Sequence, residues 1–115
     1  FLKDRIKDLL MSGGENIYPA EVENAIMAHP AVQEVAVIGV PSERWGETPL
    51  AVVVPKAGES IDGDELITFT RERLAHYKCP TAVEVIEQLP RNPSGKVLKR
   101  ELRAPHWAGH DRSIG

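Results

Sequence analysis

The sequence predicts an α+β domain: a small, mostly antiparallel three-stranded sheet with helices packed on it, preceded by an N-terminal β-hairpin. Val35-Ala36-Val37-Ile38-Gly39-Val40 and Leu50-Ala51-Val52-Val53-Val54 are nearly continuous apolar, β-branched runs, the pattern of strands covered on both faces. The polar stretch Ser42-Glu43-Arg44-Trp45-Gly46-Glu47 joins them, and so short a connection most simply gives an antiparallel pair. Two segments with helical spacing, residues 19–28 and 63–75, flank these strands and supply covering layers.

Along the chain, the charged stretch Asp4-Arg5-Ile6-Lys7-Asp8 gives way to Leu9-Leu10-Met11. Ser12-Gly13-Gly14-Glu15-Asn16 is a turn signal and Ile17-Tyr18 a returning strand, so residues 8–18 read as a β-hairpin. Its Gly13-Gly14 tip is a plain tight turn or, having little side chain, a place where another surface or a thin substrate can pass close to the backbone. Pro19 at a first helical position, with Glu21 and Glu23 in the first turn, starts a helix whose stripe is Val22, Ala25, Ile26 and His29. His29-Pro30 ends it. The first strand follows and is expected to stop at Pro41. Pro55-Lys56-Ala57-Gly58-Glu59 turns the chain after the second. Asp62 and Glu65 have capping-box spacing, and Leu66, Ile67, Phe69 and Leu74 form the apolar stripe behind them. His76-Tyr77-Lys78-Cys79-Pro80 breaks that helix, and Val83, Val85 and Ile86 make a third short strand. Residues 104–115 show no periodicity and read as a mobile tail.

Composition narrows the function. The chain has 115 residues, enough for one modest core, and its 42% hydrophobic and 27% charged residues are those of an ordinary globular protein. A net charge of −3 creates no global field for nucleic acid or an anionic membrane. No apolar run approaches the ~20 residues that span a bilayer, so no transmembrane segment is expected. Nothing at the N-terminus resembles a signal peptide. Cys79 is the sole cysteine, which fits a reducing, cytoplasmic setting. His29, His76, His106, His110 and Cys79 lack zinc spacing, so no metal site is expected. The chain opens without Met inside a charged segment, which reads as a piece of a longer polypeptide.

One loop carries chemistry. In Leu89-Pro90-Arg91-Asn92-Pro93-Ser94-Gly95-Lys96, two prolines fix φ and remove donors, and Gly95 allows a turn before Lys96. A P-loop would need Gly at position 90 and Ser or Thr at position 97, where Pro90 and Val97 stand, so that motif is excluded. A long cation on a constrained tip suits a developing negative charge on carboxylate or phosphate, although a solvated surface lysine satisfies the same few residues. The segment that follows is basic and helical in pattern, and helical spacing places Lys96, Lys99, Arg100 and Arg103 near one face. There is no aromatic interleaving to suggest nucleic acid.

Several stretches, in order, resemble one family. Asp4-Arg5-Ile6-Lys7-Asp8 with Ser12-Gly13-Gly14-Glu15-Asn16-Ile17-Tyr18-Pro19-Ala20-Glu21-Val22-Glu23 is similar to the opening of the C-terminal domain of acyl-CoA synthetases. Trp45-Gly46-Glu47, Tyr77-Lys78-Cys79-Pro80 and Ser94-Gly95-Lys96 through Arg100-Glu101-Leu102-Arg103 also resemble motifs of that superfamily, which includes acyl- and aryl-CoA ligases, luciferases and adenylation domains. The resemblance covers residues 1–103, with 1–8 as the hinge segment.

The resemblance implies a two-step ligation. A carboxylic acid attacks the α-phosphate of ATP, with Mg²⁺, to give an acyl-adenylate and pyrophosphate; coenzyme A then displaces AMP to form the thioester. It implies a mobile lid on a larger N-terminal adenylation domain, presenting one face to each step. Lys96 would be the adenylation lysine, Arg5 a nucleotide contact and Lys7 the hinge position. Ser12, Gly13, Gly14, Glu15 and Asn16 would line the coenzyme A channel, with Gly14 leaving room for pantetheine. Tyr77 and Lys78 would lie near the coenzyme A nucleotide, a weak site here because Cys79 and Thr81 are neutral where members often carry basic residues. The expected function is therefore the lid of an ATP-dependent acyl-CoA ligase for fatty acids, inactive as a fragment. Aryl- or succinylbenzoate-type ligase lids are the close alternatives, and a free-standing, non-catalytic binding module of the same fold is the alternative of a different class.

Overall fold

The computed structural model describes residues 9–12, 14–43, 46–75 and 78–108. In chain order they form β1 (Leu10–Ser12), β2 (Glu15–Ile17), α1 (Pro19–Met27), β3 (Val32–Ser42), β4 (Gly46–Pro55), α2 (Gly63–Arg71), β5 (Ala82–Val85) and α3 (Lys99–Trp107). β1 and β2 are the expected antiparallel hairpin, and β3, β4 and β5 form the three-stranded sheet in that order. Residues 1–8, expected from sequence as a hinge segment, lie outside the described residues, as do Gly13, Arg44, Trp45, His76, Tyr77 and 109–115.

The apolar runs of β3 and β4 are buried on both faces because two cores sandwich the sheet. Val35, Val37, Ala51 and Val53 face Leu10, Ile17, Val22, Ile26 and Leu66, which the hairpin, α1 and α2 supply. Ala36, Ile38, Leu50, Val52 and Val54 face Leu89, Val97 and Leu102, from the segment that runs through the Lys96 loop into α3. The period of two thus sends alternate residues to different cores. A bulge interrupts it at the start of β3, where Val32 pairs with Pro55 but Glu34 with Val54. The extra residue lets Val32 join the α1–α2 core while Glu34 shares the opposite face with Ala36 and Ile38.

The sheet is mixed. β3 and β4 pair antiparallel as expected, but β5 runs parallel to β4, Leu50 opposite Ala82 and Val53 opposite Val85. The α2 crossover between β4 and β5 is long enough to return the chain to the same end of the sheet, which a tight turn cannot do.

Pro41 does not end β3, which continues to Ser42. The outer edge of β3 explains this. Val37 N–H donates to Glu23 Oε2 (2.8 Å) and Gly39 C=O accepts from Trp107 Nε1 (2.8 Å), so the backbone groups of residues 37 and 39 point away from β4. By the same alternation the nitrogen of Pro41 points outward, where the missing donor removes no ladder bond. α1 and α3 close this edge together, for the Glu23 carboxylate also meets Lys99 Nζ at 2.7 Å. Glu23→Ala leaves Val37 N–H without that acceptor and should destabilise the chain by about 1–3 kcal/mol. Urea unfolding checks it; an unchanged midpoint would remove Glu23 from the edge-capping role.

α1 starts at Pro19 and ends at Met27, one residue short of expectation, with Val22 and Ile26 buried. His29 is a helix-end residue as expected, and it reaches further. Its Nδ1 accepts Ala31 N–H (3.1 Å), so the proton sits on Nε2, which donates to Glu65 Oε1 (2.9 Å) and ties the turn to α2. Asp62 caps α2, accepting from Asp64 N and Glu65 N, but the helix proper stops at Arg71 rather than 75. Ala104–Trp107, assigned from sequence to the tail, are the last turn of α3, held to β3 by the Trp107 indole. Pro105 hid this turn from the sequence pattern, since it interrupts helical continuity without ending the helix here.

Candidate functional site

Lys96 sits on a turn built by side chains as much as by prolines. Arg91 and Val97 form an antiparallel bridge, so residues 92–96 are a closed loop. Gly95 turns it with φ +91°, a conformation open to glycine and costly for other residues. Asn92 organises the interior. Its Oδ1 accepts Ser94 N–H (3.0 Å), Ser94 Oγ–H (2.7 Å) and Lys96 N–H (2.9 Å). Its backbone N–H donates to Lys96 C=O (2.9 Å), and its C=O accepts Gly95 N–H (2.8 Å). Arg91 Nη1 donates to Gly95 C=O (2.6 Å) and Nη2 to Glu34 Oε1 on β3. Leu89 and Val97 anchor the loop to the core beneath it. Sequence reasoning found the glycine and the prolines but missed Asn92, Arg91 and Glu34. An Asn two residues before a Ser-Gly pair was the available signal, since Asn side chains close local turns.

The basic cluster expected on one helical face does not form as one. Lys96 precedes α3, and Lys99, the first residue of the helix, turns its ammonium to Glu23. Arg100 and Arg103 are exposed on the helix.

The hairpin presents a second tip. Ser12 pairs with Glu15 and Met11 with Asn16, so two residues join the strands, as a tight two-residue hairpin turn requires. Gly14 has φ +88°, and a Cβ built on it meets nothing within 4 Å. Asn16 is exposed; Leu10 and Ile17, pointing the other way, are buried at 4% and 0% relative exposure. The hairpin is fastened to the sheet by Glu47, whose Oε1 accepts Met11 N–H at 3.2 Å. That carboxylate crosses Gly39, where a Cβ would come within 2.2 Å of Glu47 Oε2 and 2.6 Å of Leu10 Cδ2. From sequence Gly39 read as a strand residue and Glu47 as the end of the connecting loop and of the Trp45-Gly46-Glu47 motif, whereas Glu47 lies in β4.

The two tips belong to opposite sides of the sheet. The hairpin contributes Leu10 and Ile17 to the α1–α2 core, and the Lys96 loop contributes Leu89 and Val97 to the other.

Of the remaining candidates, Lys78 pairs with Glu21 on α1 (3.0 and 3.2 Å to the two oxygens), which ties the segment after α2 to the first helix. Cys79 is buried, its thiol directed at Ala75 C=O. Arg5, Lys7, Gly13 and Tyr77 lie outside the described residues. Among the described residues no three His, Cys, Asp or Glu side chains gather where they could hold a metal, and no helix is long and apolar enough to cross a membrane.

Comparison with known proteins places this architecture. The family model of the AMP-binding enzyme C-terminal domain matches residues 21–96, and the chain belongs to that family. It is 59% identical over 100 residues to a feruloyl-CoA synthase of an Amycolatopsis species, covering 87% of this chain and 20% of that protein. It is 48% identical over 108 residues to a long-chain-fatty-acid–CoA ligase of Mycobacterium tuberculosis, covering 94% of this chain and 21% of that protein. A solved Mycobacterium tuberculosis fatty acyl CoA synthetase superposes with a TM-score of 0.83 at 48% identity, covering 90% of this chain and 20% of that one. The chain thus spans about a fifth of the length of the curated relatives it matches.

Proposed function

We propose that this chain is the C-terminal lid of an ATP-dependent, AMP-forming acyl-CoA ligase, a cytoplasmic acid–thiol ligase working against its own N-terminal adenylation domain. The observation that carries the reading is the pair of tips on opposite sides of one rigid sheet, Lys96 on the α3 side and Gly14 on the α1–α2 side. A lid that serves two consecutive reactions needs two such faces, since one approach to the active site withdraws the other.

In the first step the Lys96 ammonium sits between the attacking carboxylate and the α-phosphate of ATP. Negative charge is concentrated on the phosphoryl oxygens there, and a positioned cation lowers the barrier most where that charge changes. Pyrophosphate is the leaving group, and Mg²⁺ accompanying ATP would offset its charge. In the second step the Gly14 tip, flanked by Ser12, Gly13, Glu15 and Asn16, borders the channel through which the coenzyme A thiol reaches the acyl-adenylate, with Tyr77 and Lys78 near its nucleotide. Arg5 contacts the adenosine phosphate and Lys7 absorbs the rotation between steps. Residues 1–103 form the lid.

For the acid, a fatty acid and an aryl-propenoic acid are the two candidate classes. The 59% identity to a feruloyl-CoA synthase favours the aryl class, and the likeness to fatty-acid ligases extends over more of the chain. The test is thioester formation by the full-length enzyme with ATP, coenzyme A and a panel of hydroxycinnamic and straight-chain acids. This chain alone should give no acyl-CoA above the enzyme-free background. Turnover by the isolated chain, or a full-length protein inert toward every acid while properly folded, would overturn the reading.

A further inference from the structure

The backbone that carries Lys96 is gripped on every polar group next to its Cα. The carbonyl before it, Gly95 C=O, accepts from Arg91 Nη1 at 2.6 Å. Its own N–H donates to Asn92 Oδ1 at 2.9 Å, and its own C=O accepts Asn92 N–H at 2.9 Å. Asn92 acts within the loop. Arg91 alone among these groups also reaches the sheet, through Nη2 to Glu34 Oε1. Glu34 lies on the face beneath the loop by the same alternation that places Ala36 and Ile38 there, and the bulge before it turns only Val32 into the α1–α2 core. The guanidinium is planar and rigid, so holding one edge on Glu34 fixes the direction in which the other edge holds the Gly95–Lys96 peptide.

We infer that Arg91, fixed by Glu34, is the positioning residue of Lys96: the pair transmits the frame of the sheet to the peptide from which the lysine extends. A lysine stem has four rotatable carbons, and a tilt of its first peptide moves the ammonium by far more than the tilt at its root. A misplacement of about 1 Å costs up to about a hundredfold in rate. Without the Glu34–Arg91 bracket the loop keeps its internal Asn92 bonds and its Leu89 and Val97 anchors but loses the side-chain tie that orients the Gly95–Lys96 peptide against the sheet. Arg91 touches no reacting atom; it acts through Lys96. The inference rests on the proposed adenylation role of Lys96.

The test is a double-variant cycle in the full-length ligase, with both half-reactions read separately. Arg91→Met should lower kcat for acyl-adenylate formation about tenfold to a hundredfold with the KM for ATP little changed. Thioester formation from supplied acyl-adenylate should stay at the parental rate. The double variant Arg91→Met/Lys96→Ala should be no slower in adenylation than Lys96→Ala, because a positioning residue has nothing left to position. Glu34→Gln should act in the same direction by a smaller factor, and Arg91→Lys, which cannot hold both partners with one planar fork, should not rescue. If Arg91→Met fails to fold, Glu34→Gln and Arg91→Lys in the same cycle decide. Losses that multiply in the double variant, or that fall equally on both half-reactions, overturn the inference while leaving the role of Lys96 intact. An unimpaired Lys96→Ala overturns that role and the inference with it.

Discussion

Replacing Lys96 by alanine in the full-length ligase should slow acyl-adenylate formation by about 10²–10³-fold, the usual cost of removing a positioned group that stabilises transition-state charge. Thioester formation from supplied acyl-adenylate should change by no more than about twofold. Pyrophosphate release reads the first step and consumption of free thiol the second. The asymmetry is the content of the prediction. A lysine that merely held the loop together would fail both steps through a misshapen lid. The turn of the loop is made by Asn92, Arg91, Gly95 and the two prolines, and its floor by Leu89 and Val97. Lys96→Ala therefore removes a charge and leaves the turn that presented it. Lys96→Arg should recover only part of the rate, since the guanidinium fork is wider than an ammonium and presents its donors in one plane. Equal losses in the two half-reactions would sink the assignment.

Much of this was legible in the sequence, and the illegible part has a common cause. The strands were read from β-branched runs, α1 from Pro19 and its stripe, and α2 from the Asp62 cap, because each of these signals is local and repeats with a fixed period. Long-range facts could not be read that way. The parallel pairing of β5 depends on where α2 returns the chain, and the continuation of β3 through Pro41 depends on which edge of the strand has no strand partner. The Glu34–Arg91 contact joins residues 57 positions apart. The same holds at the candidate site. Lys96 and Gly14 were found because turns announce themselves locally, and the resemblance gave them roles. Of the acids that hold these elements in place, Glu34 carried no local signal, Glu47 read as part of a loop motif, and Glu23 only as a first-turn helix residue. Each instead accepts a hydrogen bond from a segment distant in sequence, at Arg91, Met11 and Val37.

Substitution at Gly14 should produce the complementary defect. Gly14→Asn in the full-length enzyme should lower thioester formation by about tenfold to a hundredfold, the scale on which small displacements in a reacting channel are felt. Adenylate formation should be unaltered. Two physical effects compete at this position, and they can be separated. The first is backbone strain: φ is +88°, where a residue with a Cβ is held at a cost of about 1–3 kcal/mol. The second is occlusion, because the space above Gly14 is open in this chain and a side chain there would enter whatever passes the tip. Asparagine tolerates positive φ better than alanine but is the larger side chain. If the tip borders the coenzyme A channel, bulk decides, and Gly14→Asn should be slower in the second step than Gly14→Ala. If the tip is only a tight turn, strain decides, and Gly14→Ala should be the worse of the two, with a matching loss in thermal stability. The hairpin is fastened through Leu10, Ile17 and the Glu47 carboxylate, away from its tip, so neither variant should disturb the sheet or the Lys96 loop beyond it. A second-step defect ordered by size, beside a first-step defect confined to Lys96, would assign the two faces of the lid to the two reactions. An order set by strain would leave Lys96 with its role and return the hairpin to a structural turn.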